Sequence, residues 1–186
     1  MTKNLFVVNV VGTGQLATQV NYDYVMNKVD IPVIRYDPSI HQGLELRFNE
    51  DGPLITIYNT GKYIIRAENV DIVYEVRKSF LELMEHINLI DSASDEDFNI
   101  NNVVCNGDLD RELELEALVE DLSRGEASYD PDQFPGIHYK LKNNPCSLLI
   151  FRSGKVVVTA APDVETAENA FQSLDEEITE LIESGA

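Results

Sequence analysis

Among side chains able to do covalent or metal chemistry, the 186-residue chain holds three histidines, His41, His86 and His138, and two cysteines, Cys105 and Cys146. No histidine has a nucleophile or a second ligand at a spacing that catalysis or metal binding requires. The cysteines have neither the number nor the spacing of a zinc site, and they fit a reduced, cytosolic protein. Gly12-Thr13-Gly14 follows a strand-like run, but the third glycine of a dinucleotide fingerprint falls at Ala17 and the next helix is misplaced. No enzyme, metal or cofactor is expected. What remains are aromatic, amide and basic residues at loop tips and along strands. Phe134-Pro135-Gly136 makes a wedge after the turn signal Asp130-Pro131. Further on, Phe151, Ser153, Lys155, Val157 and Thr159 alternate onto one side. Read by type alone, that row is more simply one face of an ordinary strand, since apolar strand faces are usually covered.

The elements that must hold these residues are legible from residue 129 onward. A strand run ends at Leu141, and two more, Ser147 to Arg152 and Lys155 to Ala161, are joined by the hairpin signal Ser153-Gly154. This stretch has a twin 93 residues earlier. Tyr129-Asp130-Pro131 returns as Tyr36-Asp37-Pro38, Gly136 as Gly43, Gly154-Lys155 as Gly61-Lys62, and Asn102-Val103-Val104 as Asn9-Val10-Val11. The chain is a tandem duplication, with repeats at 1–93 and 94–186 and a polar linker at 92–97. The first repeat reads as a strand from Leu5 to Val20, a short helix capped by Asn21, and strands at 33–36, 43–48, 54–59 and 62–67. A helix striped by Val73, Val76, Phe80, Leu83 and Ile87 closes it. The second repeats this order, with a strand from Phe98 to about Leu113, a short helix with Leu115, Leu118, Val119 and Leu122 on one face, and a final helix striped by Val164, Ala167, Phe171, Leu174, Ile178 and Leu181. Aligning Phe80 with Phe171 needs an offset of 91, so the first repeat is expected to hold two extra residues between Lys62 and Val73.

At 44% hydrophobic the chain can bury a core, and it has no run of 18 apolar residues to span a membrane. Its first residues read as a strand and not as a signal peptide, so a cytoplasmic location is expected. Net charge is −19, from 14 basic and 33 acidic residues. By itself that argues against nucleic acid. The acid is uneven, with 8 basic and 12 acidic residues to position 93 and 6 and 21 after it. Such a chain suits a high-salt cytoplasm, where repulsion is screened within about 3 Å at 1 M salt.

The motifs Asn102-Val103-Val104, 113–118 (LELEAL), 129–136 (YDPDQFPG) and 149–157 (LIFRSGKVV) closely resemble the TATA-box-binding protein family in its archaeal form. The resemblance covers the whole chain, strongly in the second half and weakly in the first. It implies an α+β fold: a pseudo-twofold saddle with one continuous curved antiparallel sheet and helices on its convex face. It further implies a transcription initiation factor that binds and bends A·T-rich promoter DNA through the minor groove, then recruits transcription factor B and, through it, RNA polymerase. In that groove A·T pairs show only acceptors while G·C adds a protruding amino group, which an apolar strand face would reject. Phe134 and Phe151 match the family's wedges, which kink DNA by about 80°, a value for which this family is itself the standard example. Pro135 stiffens the first wedge. Asn102 and Asn9 match amides that reach groove acceptors, with Val104 and Val11 beside them. Lys155, Lys62, Lys140 and Arg47 match basic positions on phosphates. Ser153, Val157 and Thr159 line the same face, and Thr60 is the twin of Ser153. Asp130, Asp132 and Gln133 match the acidic tip that docks transcription factor B.

The first repeat departs from the pattern. His41 and Tyr58 stand where the family has wedge phenylalanines, Gln42 replaces the proline, and Arg66 is the nominal twin of Thr159. Strict TATA preference at that end is therefore in question, and Arg66 facing the groove would favour its negative potential. The alternative function is a paralogue of the same fold that acts mainly as a protein-interaction or regulatory module. A homodimer off DNA is left open.

Overall fold

The computed structural model describes residues 4–92 and 97–185. They fall into two compact units. The N-terminal unit comprises 9–101, and the C-terminal unit comprises 102–185 together with 4–8. Strand β1 (Leu5–Gln15) contributes to both.

In the N-terminal unit β1 is followed by α1 (Tyr22–Lys28), β2 (Val33–Arg35), β3 (Leu44–Arg47), β4 (Leu54–Ile57), β5 (Lys62–Ala67) and α2 (Val70–His86). The strands pair in the order β2-β3-β4-β5-β1, antiparallel throughout. Asn21 caps α1 as its type suggests, with Oδ1 accepting from Tyr24 N at 3.0 Å. Asn69 caps α2 in the same way through Ile72 N. Gly61 closes the β4–β5 turn at φ 87°, and a Cβ there would lie 2.3 Å from Thr18 O. Tyr63, Ile65, Leu44, Leu46, Ile55 and Ile57 are buried beneath Val73, Phe80 and Met84. The rings of Tyr63 and Phe80 are 4.8 Å apart.

The C-terminal unit repeats the plan with β6 (Asn99–Asp108), α3 (Leu115–Asp121), β7 (Gly125–Ser128), β8 (Gly136–Leu141), β9 (Ser147–Phe151), β10 (Lys155–Ala161) and α4 (Val164–Glu183). Its order is β6-β10-β9-β8-β7, again antiparallel. The α+β class and the order of strand, short helix, four strands and long helix are both found. Of the proposed linker, 93–96 lie outside the described residues.

Three expectations are corrected. β1 stops at Gln15 and not at Val20; beyond it only two isolated backbone bonds, Leu16 N to Gly61 O and Val20 N to Asn59 O, continue the ladder. β6 stops at Asp108 and not near Leu113, because Asp108 Oδ1 accepts from Asp110 N and Asp110 turns to φ 55°. The first repeat does not hold two extra residues. Instead the second holds one, in a bulge of β10 between Val158 and Ala161, where Ala160 sits at φ 60°. The helix caps Asn69 and Asp163 then correspond, so Leu174 and not Phe171 is the structural twin of Phe80.

One buried charge was not anticipated. Glu177 is 3% exposed on the core side of α4. Its Oε1 accepts from Ser123 N (2.8 Å) and Arg124 N (2.9 Å), and its Oε2 from the Tyr139 hydroxyl (2.8 Å). The carboxylate thus ties α4 to the α3–β7 loop and to β8.

Candidate nucleic-acid interface

In the C-terminal unit the helix marks which sheet face is covered. A Cβ on Gly107 would lie 2.3 Å from the Phe171 ring of α4. Val156 is opposite Gly107, Ile150 opposite Val156, and Ile137 opposite Ile150, so these residues face the helix. Their alternates face away. One such row crosses all five strands as Ser128, His138, Leu149, Val157 and Asn106. Leu149, Val157, Thr159, Asn102 and Val104 are half-buried there, and Lys140 is exposed.

At the end of this face Phe134 and Phe151 meet at 5.7 Å between ring centres, and Phe134 lies 4.7 Å from the His138 ring. Both phenylalanines are half-buried and Pro135 is exposed. Gly136 pairs with Phe151 across the ladder, and a Cβ on it would lie 3.0 Å from the Phe134 ring and 3.2 Å from the Phe151 ring. A side chain at position 136 would push the rings apart. Phe134 N bonds Asp130 O, and Asp130 Oδ2 accepts from Gln133 Nε2 at 2.6 Å, so the acidic tip with exposed Asp130, Asp132 and Gln133 is internally braced.

Asn102 has its amide oriented by the fold. Oδ1 accepts from Ala160 N in the bulge at 3.0 Å, which leaves the NH2 as the end free to donate. Lys155 is exposed beside Phe151, yet Nζ is 2.5 Å from Asp108 Oδ2. That hydrogen bond holds the Asp108 carboxyl below its usual range and raises the Lys155 ammonium. Ser153 is exposed in the β9–β10 turn.

The N-terminal unit has the same architecture with different chemistry. Gly12 faces Val73 of α2 and the Phe98 ring, and Ile65 is opposite Gly12. The other face carries Val11, Thr13, Ile64, Arg66, Thr56, Glu45 and Arg35. Val11, Asn9 and Tyr58 are half-buried, and Thr60 and Lys62 are exposed. Where the other unit has Phe134, His41 is drawn into a polar network. Its Nδ1 accepts from Gly43 N at 2.9 Å, and its Nε2 donates to Glu45 Oε1 at 2.7 Å. Arg35 holds the other Glu45 oxygen at 2.6 and 3.0 Å. The Arg35 hydrogen bond, followed by that from His41, keeps the Glu45 carboxyl below its usual range despite partial burial. Arg47 donates to Gly52 O and so closes its own turn.

The structure therefore brings Phe134, Phe151, Val157, Thr159, Lys155, Asn102 and Val104 onto one uncovered face. Sequence reading missed three of their neighbours, Leu149, His138 and Asp108, and in the other unit it missed Glu45 beside His41. Leu149 had a usable signal, lying two residues before Phe151 on a period-two strand. The others depend on which strands pair, and in what register.

These features define a class: a duplicated α+β chain in which each unit leaves one sheet face free of its long helix. The chain matches the family model described as transcription factor TFIID, or TATA-binding protein, over residues 4–87 and 97–181, and it belongs to that family. TATA-box-binding protein C of Halobacterium salinarum is 35% identical over 177 residues, 95% of this chain and 98% of that protein. A TATA-box-binding protein of Methanococcus maripaludis is 32% identical over 187 residues, 98% of each chain. The solved structure of Methanococcus jannaschii TBP superposes with a TM-score of 0.77 at 25% identity, over 95% of this chain and 99% of that one. A halobacterial relative fits the halophilic reading of the charge. Among the described residues no helix is long and apolar enough to cross a membrane.

Proposed function

We propose that the chain is an archaeal-type transcription initiation factor, its two repeats acting as one DNA-binding domain. The open faces enter the minor groove of A·T-rich promoter DNA, and Phe134 and Phe151 kink it. Transcription factor B docks on the tip at Asp130, Asp132 and Gln133, and RNA polymerase follows it, in the cytoplasm. The observation that carries this reading is the Phe134–Phe151 pair, held half-buried on the face away from α4 and continuous with Leu149 and Val157. Unstacking a base step costs a few kcal/mol. Burying a Phe side chain returns about 1.5–3 kcal/mol, so two rings can offset one kink.

The test is bending and affinity in molar potassium chloride, measured by energy transfer across an end-labelled A·T-rich duplex against a G·C-rich one. Phe134→Ala and Phe151→Ala should each reduce bending and cost at least tenfold in affinity, and Tyr58→Ala less. Equal losses at all three positions would refute the asymmetry between the ends, and no A·T preference would refute the reading.

One observation favours the second reading, a paralogue that works mainly through proteins. Lys155, His41 and Arg47 are all engaged within the fold. A chain that bound transcription factor B but bent no duplex would be that paralogue.

A further inference from the structure

The tip loops of the two units share one backbone turn and divide its side chains differently. In the C-terminal unit Gln133 N and Phe134 N both bond Asp130 O, and in the N-terminal unit Ile40 N and His41 N both bond Asp37 O. Position 40 therefore corresponds to 133, and 41 to 134. In the C-terminal loop Gln133 braces the turn through Asp130 Oδ2, which leaves Phe134 to stand against the Phe151 ring. In the N-terminal loop Ser39 is the brace, its N and Oγ donating to Asp37 Oδ1 at 2.9 and 2.6 Å. Position 40 is thereby released from the turn. The bound residue is now His41, held at Nδ1 by Gly43 N and at Nε2 by Glu45. Ile40 is 76% exposed, more than any other large apolar side chain among the described residues. It borders one shallow hollow with Arg35, His41 and Glu45. Arg35 and Glu45 are cross-strand partners on the open face, so Ile40 stands at the rim of that face.

A side chain that parts two bases gives up water and finds no hydrogen-bond partner between them. Apolar residues suit that place, and isoleucine is among those that serve as wedges, with Phe, Leu, Met and Pro. His41 does not suit it. To enter the stack its ring would have to leave both Gly43 and Glu45, and each bond left unmade counts against insertion. We propose that Ile40, and not His41, is the side chain of the N-terminal unit that enters the base stack. Isoleucine is shorter than phenylalanine and brings no ring to lie against a base. The step under the N-terminal unit is therefore opened less than the step under Phe134 and Phe151, and the bend is uneven. This rests on the reading that the open faces meet DNA.

The experiment uses the full chain at saturating concentration in molar potassium chloride, on A·T-rich duplexes that carry 2-aminopurine in place of adenine. Each duplex has two probes placed symmetrically about its centre, and the pair is stepped outward through a series. Unstacking brightens the probe, and a symmetric pair makes the total independent of the direction in which the chain binds. At the spacing that brightens most with the unchanged chain, Ile40→Ala should lose up to about half of the gain. It should also bind about tenfold more weakly, as expected for one aliphatic side chain no longer buried. Ile40→Leu should keep both, and His41→Ala should keep most of the brightening. Phe134→Ala should lose the larger share. Because Ile40 is exposed, its variants should unfold at the same denaturant concentration as the unchanged chain, which separates a lost wedge from a lost fold. If Ile40→Ala leaves the signal whole, or His41→Ala removes as much of it, the inference fails alone. If the unchanged chain brightens no pair, or binds no duplex, it fails together with the reading it rests on.

Discussion

Lys155 lies on the face expected to meet phosphates, yet it is spoken for by Asp108. An exposed ion pair contributes little to stability, so its main effect falls on whatever else Lys155 would bind. Phosphate must displace Asp108 before Lys155 can neutralise it. Because Lys155 depresses the Asp108 carboxyl, the pair's contribution is present above the ordinary carboxylate range and is lost only as pH falls through the lowered value. At neutral pH the competition is therefore constant. Asp108→Asn should tighten DNA binding several-fold and steepen its salt dependence by about one counterion, measured by anisotropy across a potassium chloride series. An unchanged slope would mean that Lys155 does not reach phosphate. The same pair marks how far single residues were legible. The role proposed for Phe134 and Phe151 could be read from their type and from the loop motifs around them. Asp108 could not be found that way, because it meets Lys155 only through the β6–β10 register. His138 likewise became an aromatic neighbour of Phe134 only once β8 had placed it there.

At the scale of elements, alternation and turn glycines located most strands, and Asn21 announced its helix. The register of the long helices was not legible. Phe80 and Phe171 look like twins, but the bulge at Ala160 adds a residue that no pattern in the sequence marks, and it shifts every later correspondence by one. Glu177 was hidden for a related reason: a carboxylate inside an apolar stripe reads as an interruption until its partners are seen. Those partners make it a stabilising clamp, with two backbone N–H groups and a phenol aimed at one anion. Glu177→Ala strands the two backbone N–H groups and the phenol and should cost about 3 kcal/mol in chemical denaturation, and Tyr139→Phe about 1 kcal/mol. The clamp also sets an alkaline limit. Burial first, and then the Glu177 hydrogen bond, push the Tyr139 phenol well above its ordinary value of 10.0. Burial pushes the Cys105 and Cys146 thiols from 9.0 up to about 11. A raised pKa means that the unfolded chain loses its proton first, so stability falls as pH rises. The loss should begin near pH 9 with the thiols and continue above pH 10 with Tyr139. Replacing both cysteines with alanine should remove its early part, and Tyr139→Phe its later part. A stability profile that stays flat between pH 8 and about 11 in the parent protein would contradict this.

For the whole molecule the governing quantity is the net charge of −19 set against a polyanion. Ordinary DNA-binding proteins release cations from the duplex, and their affinity falls steeply as salt rises. Here that release would be opposed on the face proposed to meet DNA. Asp108 lies beside Lys155, Glu45 lies between Arg35 and His41, and exposed Glu126 on β7 is opposite Lys140 on β8. Bringing carboxylates up to phosphates requires cations between them, so on the proposed reading complex formation should take up potassium while the basic residues release it. The two counts have opposite sign, and the acidic one grows with every carboxylate near the backbone. Affinity for an A·T-rich duplex should therefore stay flat or rise up to molar potassium chloride. A triple change, Glu45→Gln, Asp108→Asn and Glu126→Gln, removes most of the uptake and leaves the release. It should turn that profile into the ordinary decline, by about 0.9 in log–log slope for each phosphate contact then uncovered. Anisotropy titrations of both proteins at several salt concentrations decide the matter. A steep decline in the parent protein would show that the acidic side chains stay clear of the backbone. A flat profile that survives the triple change would place the cation uptake elsewhere on the chain.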